Sequence, residues 1–241
     1  MTSQQGAGIP WLSINSLEFP SIHTALCEPD GLLAAGGDLS PERLAAAYKQ
    51  GIFPWYEEGQ PILWWSPDPR AVISPNQFRA SRSLQKMLRR NKFEVRLDTA
   101  FNEVIERCSE SRDNAEGTWI STEMKIAYKA LHRAGLAHSI ECFLDEVLVG
   151  GLYGIGIGKL FFGESMFHLE TDASKVAFAF LCRLLSEQQC PMIDCQLPNA
   201  HLSSLGVTTI SREVFESQLK LYADHEQPIN WDILPTILSP W

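Results

Sequence analysis

The chain has 241 residues, 45% of them hydrophobic and 20% charged, with a formal net charge of −9. That is the balance of an ordinary globular protein, with room for one large domain or a medium and a small one. A body this acidic is not an indiscriminate nucleic-acid binder.

No apolar run reaches the roughly 18 to 20 residues of a membrane span, and residues 1–10 lack the basic and apolar regions of a secretory signal. The six cysteines (Cys27, Cys108, Cys142, Cys182, Cys190, Cys195) form no C-x-x-C pair. They read as reduced thiols in a reducing compartment, so the expected location is cytoplasmic.

Ser40-Pro41-Glu42 marks a helix start, with Ser as cap and Pro at the first helical position. Leu44, Ala47 and Tyr48 give that helix its apolar face, and Gly51 stops it. The proline-rich stretches Gly51–Tyr56 and Pro61–Arg70 read as a fixed irregular surface rather than sheet or helix. A domain boundary is placed near residue 70, giving 1–70 and 71–241. Between Arg79 and Arg96 stand seven bases (Arg79, Arg82, Lys86, Arg89, Arg90, Lys92, Arg96) against one acid, Glu94. Arg82, Lys86, Arg89 and Arg90 fall on one stripe of a helix over about residues 81–91, with Leu84, Met87 and Leu88 opposite. The stripe is either a solvated helix face or a surface fitted to one phosphate backbone.

Beyond it the pattern predicts a strand at Phe93–Leu97, a helix at Ala100–Cys108, and another at Thr122–Arg133 closed by Gly135. Three strands follow, Ala137–Phe143, Val147–Ile155 and Lys159–Met166, turning at Asp145-Glu146 and at the glycines between Gly154 and Gly158. A helix at Ala173–Glu187, a strand at Met192–Gln196, a helix through His201 ending at Gly206, a strand at Val207–Ile210 and a helix at Arg212–Tyr222 complete it. A meander followed by helix, strand, helix and strand is an α+β fold with a mixed sheet.

In the strand Met192–Gln196, alternation puts Ile193 and Cys195 on one face and Asp194 and Gln196 on the other. The polar pair reads as a half-exposed strand face or as two groups that reach one ligand. Glu164 stands in an apolar strand, where a carboxylate needs a structural partner or a pocket that receives a cation. The aromatics Tyr48, Trp55, Trp64, Trp65, Trp119 and Tyr128 form a core, or a platform for a base and a slot for an apolar side chain. Gly154-x-Gly156-x-Gly158 joins two strands and opens no helix, so it is not a dinucleotide fingerprint. No phosphate-binding loop with a terminal Gly-Lys-Ser/Thr occurs, the six histidines lack metal-ligand spacing, and no serine lies in a nucleophile elbow.

Several short stretches, in this order, resemble the bacterial leucyl/phenylalanyl-tRNA–protein transferase family. They are Glu28–Ser40, Gly51–Trp55, Trp64–Arg70, Gly117–Ile120, Phe162–Phe167 and Ile193–Gln196. The resemblance implies a small N-terminal domain and a C-terminal domain folded like the N-acetyltransferases. It places Asp194 and Gln196 on the catalytic strand and Glu164 at a neighbouring pocket position. Trp55, Trp119, Tyr128 and Met166 match positions around the aminoacyl-adenosine end of the donor, and Tyr48 joins this set. Leu152 stands where Met is common beside the side-chain pocket, His168 where Ser is usual, and Arg79 where His is common.

The activity implied is transfer of Leu or Phe, or Met, from aminoacyl-tRNA to the α-amine of proteins beginning with Arg or Lys, marking them for degradation. The partners are then Leu-tRNA, Phe-tRNA and such protein N-termini, with no cofactor, metal, CoA or membrane. The basic stripe Arg82, Lys86, Arg89 and Arg90 becomes the tRNA contact. In this reading Asp194 and Gln196 orient the acceptor amine, Asp194 helps take its proton, and Glu164 attracts the basic N-terminal residue. Two rivals stand beside it: an acetyl-CoA-dependent N-acetyltransferase, opposed by Glu170 and Asp172 at the helix that would seat a pyrophosphate, and a non-catalytic RNA-binding adaptor.

Overall fold

A computed structural model describes residues 8–110 and 120–233 of the chain. Its first part carries β1 (Trp11–Leu12), β2 (Leu32–Gly36), α1 (Pro41–Lys49), β3 (Phe53–Pro54) and β4 (Leu63–Trp65). Next come β5 (Arg70–Ile73), α2 (Arg82–Arg90), β6 (Glu94–Leu97), α3 (Phe101–Glu110) and α4 (Thr122–Arg133). The rest holds β7 (Ala137–Leu144), β8 (Val147–Ile157), β9 (Leu160–His168), α5 (Ala173–Glu187) and β10 (Met192–Gln196). It ends with α6 (Ala200–Ser204), β11 (Thr208–Ile210) and α7 (Arg212–Tyr222).

Serine side chains start α1, α2 and α4: Ser40, Ser81 and Ser121 accept from the backbone N–H of Arg43, Leu84 and Met124. Asn91 ends α2 in the left-handed conformation. The stretch expected to be irregular between Gly51 and Arg70 instead supplies two strands of a four-stranded sheet ordered β1-β2-β4-β3. Its prolines do not forbid this. Pro54 lies in β3, an edge strand that needs no donor on one side, and Pro61 and Pro67 bracket β4 without entering it.

The larger sheet has seven strands in the order β11-β5-β10-β9-β8-β7-β6. Every neighbouring pair is antiparallel except β9 with β10, so the sheet is mixed and the fold is α+β. The meander of β7, β8 and β9 is followed by α5 and the parallel strand β10, the element order expected from the sequence. Successive phenylalanines of β9 fill opposite faces. Phe162 joins a core with residues of α1, α3, α4 and the smaller sheet, while Phe161 joins one with residues of α2 and α5.

Two irregularities in this sheet position the site. Gly154 pairs with Gly163 and Tyr153 with Ser165, so Glu164 is an extra residue, a bulge in β9. A Cβ on Gly154 would lie 2.3 Å from the Phe162 carbonyl oxygen, which is why a glycine stands opposite the bulge. Secondly, β9 and β10 pair only from Leu160 and Met192 to Phe162 and Asp194, after which both strands continue apart. Residues of both strands then border the widening gap between them.

Candidate active site

The gap opens into a cavity of about 560 Å³. Gly163, Glu164, Ser165 and Met166 of β9 face Cys195 and Gln196 of β10 across it, with Leu197 and Asn199 beyond. Leu152, Phe178 and Leu181 supply apolar wall, and Phe53, Pro54 and Trp55 bring the smaller sheet to its rim. Trp55 is half-exposed, and its carbonyl oxygen accepts from the Trp65 ring N–H at 2.6 Å, which fixes it beside that ring. A volume of this size with apolar walls and few polar groups suits a small organic moiety.

Glu164 is 9% exposed, and three donors meet its carboxylate. The Tyr48 hydroxyl lies 2.7 Å from Oε1, the Tyr128 hydroxyl 2.9 Å from Oε2, and Gln196 Nε2 2.9 Å from Oε1. The two tyrosine oxygens are 2.6 Å apart. Burial raises the Glu164 pKa to about 7, with the hydrogen bonds from Tyr48, Tyr128 and Gln196 opposing the rise. Tyr48 and Tyr128 are pushed well above the usual phenol range, by burial first and then by the Glu164 charge. A guanidinium from an acceptor would have to displace these donors to pair with Glu164, so the geometry does not favour it as the reader of a basic residue.

Asp194 has a different setting. It is fully buried and accepts two hydrogen bonds from Arg70, Nε to Oδ1 at 2.8 Å and Nη2 to Oδ2 at 2.7 Å. The guanidinium lies over the rings of Phe53 and Phe215, 4.9 and 4.6 Å from their centres. Asp194 Oδ1 also accepts the backbone N–H of Gln196 at 2.9 Å. The register against β5 shifts between Asp194 and Gln196, and Gln196 has φ 62°. This kink ends the simple alternation: Asp194 turns inward to Arg70, and Gln196 turns to Glu164 and the cavity. The expectation that the two share one face therefore fails, and Ile193 and Cys195 line the cavity as well.

Of the other residues singled out, Leu152 and Met166 line the cavity, whereas Tyr48 and Tyr128 are fully buried and meet it through Glu164. Trp119 lies outside the described residues. Arg82, Lys86, Arg89 and Arg90 are all exposed on α2, which packs through Leu84 and Leu88 against the core that holds α5. Glu170 and Asp172, read as repelling a pyrophosphate, are paired with Lys92 and Lys175 at 2.7 Å each, which weakens that repulsion.

Two residues were not assigned from sequence. Arg70 was legible only as the complement a buried Asp needs, and Ser165, whose Oγ is buried without a partner among the described residues, gave no signal.

A sequence model described as leucyl/phenylalanyl-tRNA protein transferase matches residues 72–220, and one described as its N-terminal domain matches residues 37–68. The chain belongs to this family. The leucyl/phenylalanyl-tRNA–protein transferase of Nitrosospira multiformis is 56% identical over 212 residues, covering 88% of this chain and 91% of that protein. Its counterpart in Stutzerimonas stutzeri is 52% identical, covering 92% of this chain and 99% of that one. The Pseudomonas aeruginosa (strain LESB58) transferase is 53% identical, covering 93% and 99%. Among solved structures, L-PGS from Bacillus licheniformis overlaps 74% of this chain and 61% of its own at a TM-score of 0.39 and 12% identity, too slight to bear on the fold. Two of the stretches that carried the resemblance, Phe162–Phe167 and Ile193–Gln196, contribute residues to the two lips of the cavity.

Proposed function

We propose that the cavity between β9 and β10 is where a leucyl or phenylalanyl group passes from tRNA to the α-amine of an acceptor protein. The observation that carries this is the pairing of an apolar slot with a polar edge made by Gln196 and Glu164. Leu152, Met166, Phe178 and Leu181 would hold the migrating apolar side chain, and Trp55 at the rim offers a face on which the terminal adenine stacks. The exposed bases of α2 would carry the acceptor stem. A preference for N-terminal Arg or Lys rests on the family alone; the net charge of −9 adds a general attraction for basic N-termini. Degradation of the product and a cytoplasmic setting belong to the same reading.

Aminoacyl-tRNA is already an activated ester, so attack by an amine needs no ATP or cofactor. With a pKa of about 8, roughly a tenth of an α-amine is neutral at pH 7. The main requirement is alignment, which is worth about 7 to 11 kcal/mol when the reactants are held at attack distance. Gln196 is suited to it. Its Nε2 is taken by Glu164, and the acceptor its amide has left for a substrate N–H is Oε1. Asp194, held on both oxygens by Arg70, is a positioning residue that fixes the Gln196 backbone, and not a proton acceptor reached by substrate.

The test is one mixture of protein, radiolabelled leucyl-tRNA, acetyl-CoA and a peptide beginning with Arg. Leucine on the peptide N-terminus is the expected result. Acetylation would support the N-acetyltransferase rival, and neither product with retained tRNA binding would support the adaptor.

A further inference from the structure

The hydroxyls of Tyr48 and Tyr128 and the carboxyl of Glu164 form a closed triangle of contacts at 2.6, 2.7 and 2.9 Å. Each contact needs one proton between its oxygens, since two lone pairs at that distance repel. The tyrosines bring two protons for three contacts. With Glu164 ionised, one edge is left without a proton, in a place where neither tyrosine is exposed to water. With Glu164 protonated, all three edges close in one direction: Glu164 donates to Tyr48, Tyr48 to Tyr128, and Tyr128 to the second Glu164 oxygen. The Gln196 amide still donates to a remaining lone pair of Oε1.

We infer that the resting site stores one proton on Glu164, held by the two tyrosines, and that this proton is the one delivered to the departing ribose oxygen. This deepens the transfer reading and rests on it. As the acceptor nitrogen bonds to the ester carbon, the carbon–oxygen bond to ribose breaks and its electron pair goes to the ribose oxygen. Glu164 gives that oxygen its proton, and the carboxylate so formed takes the proton released by the nitrogen. The acid is restored, and no other donor or acceptor is required. Glu164 is the member of the triangle that lines the cavity, so it is the one able to touch the reacting atoms.

The surroundings suit a neutral acid. Tyr48 faces Glu164 from α1, Tyr128 from α4 and Gln196 from β10. Tyr153 of β8 packs edge-on against Tyr128, and Ser165 follows on β9 itself. Asp194 of β10 is paired with Arg70, and its charge also works to raise the Glu164 pKa. Among the described residues no cation is paired with Glu164 to hold it ionised, and burial shifts it in the same direction.

Infrared difference spectra of wild type against E164Q, without substrate, test the stored proton. At about pH 6, below the Glu164 pKa of about 7, the carbonyl stretch of a protonated carboxylic acid is expected in wild type and not in E164Q. Its absence there, with only carboxylate bands in the difference, overturns the inference. Gln in place of Glu keeps one donor and one acceptor for the tyrosines, so E164Q is expected to fold and to bind leucyl-tRNA as wild type does.

Single-turnover transfer from prebound leucyl-tRNA to an Arg-initiated peptide then tests the proton's use. The expected loss in E164Q is about 100-fold, the low end for acid–base catalysis, and the decline of wild-type rate above neutral pH disappears. A rate equal to wild type across pH overturns the catalytic role. Failure of the wild-type protein to transfer leucine at all would defeat the functional reading, while the spectra would still decide whether the proton is there.

Discussion

Asp194 and Glu164 are both buried carboxylates, one matched by a cation and the other by neutral donors. The difference predicts how each responds to substitution. Replacing Arg70 by Met strands the Asp194 charge in the interior, and loss of one partner of a buried pair costs about 3 to 5 kcal/mol. Urea unfolding of R70M should show that loss, and D194N placed in the R70M background should recover part of it. Equal stability of R70M and wild type would mean that Asp194 is not held as described. On the slot side, Leu152→Ala widens the apolar wall beside Met166. It should raise the ratio of phenylalanyl to leucyl transfer, by on the order of the 1 to 3 kcal/mol that a single methylene is worth in a pocket. Competition between the two charged tRNAs measures it, and an unchanged ratio would place the side chain elsewhere.

Helix α2 acts as a unit. Its bases face solvent while Leu84 and Leu88 anchor it, so charge can be removed without touching the core. Changing Arg82, Lys86, Arg89 and Arg90 together to Gln should weaken leucyl-tRNA binding. It should also flatten its dependence on log salt by up to about 3.6 if all four contact phosphates. Filter binding across a salt series checks this, and an unchanged slope would leave the stripe a solvated face. This helix, the meander of β7, β8 and β9, and α5 were legible because their apolar period is carried by many residues. The strands β1 to β5 were not. They are two to five residues long among prolines, and only pairing with distant segments makes them strands. The same holds within the site. Asp194-x-Gln196 and Glu164 were found by residue type, but the bulge and the positive φ that aim them arise from register with neighbouring strands.

For the molecule as a whole, two buried carboxyls set a pH trend. Burial raises both Glu141 and Glu164 to about 7, from 4.5 in an exposed chain. Between those values the folded protein keeps protons the unfolded chain has lost, so these groups favour folding at low pH. That contribution fades as pH rises through about 7. E164Q removes one of the two, and the melting temperature of E164Q relative to wild type should climb between about pH 5 and pH 8. A difference that stays flat would show that Glu164 titrates alike in both states.

The account rests on Gln196 at the mouth of the splay aligning the acceptor amine, and rapid-quench single-turnover transfer by Gln196→Ala reads that most directly. With leucyl-tRNA prebound and an Arg-initiated peptide in excess, the account predicts unchanged tRNA affinity and a transfer rate lower by about 100-fold, the scale of loss when a reactant is misplaced. A rate matching wild type would place the transfer site somewhere other than the cavity between β9 and β10.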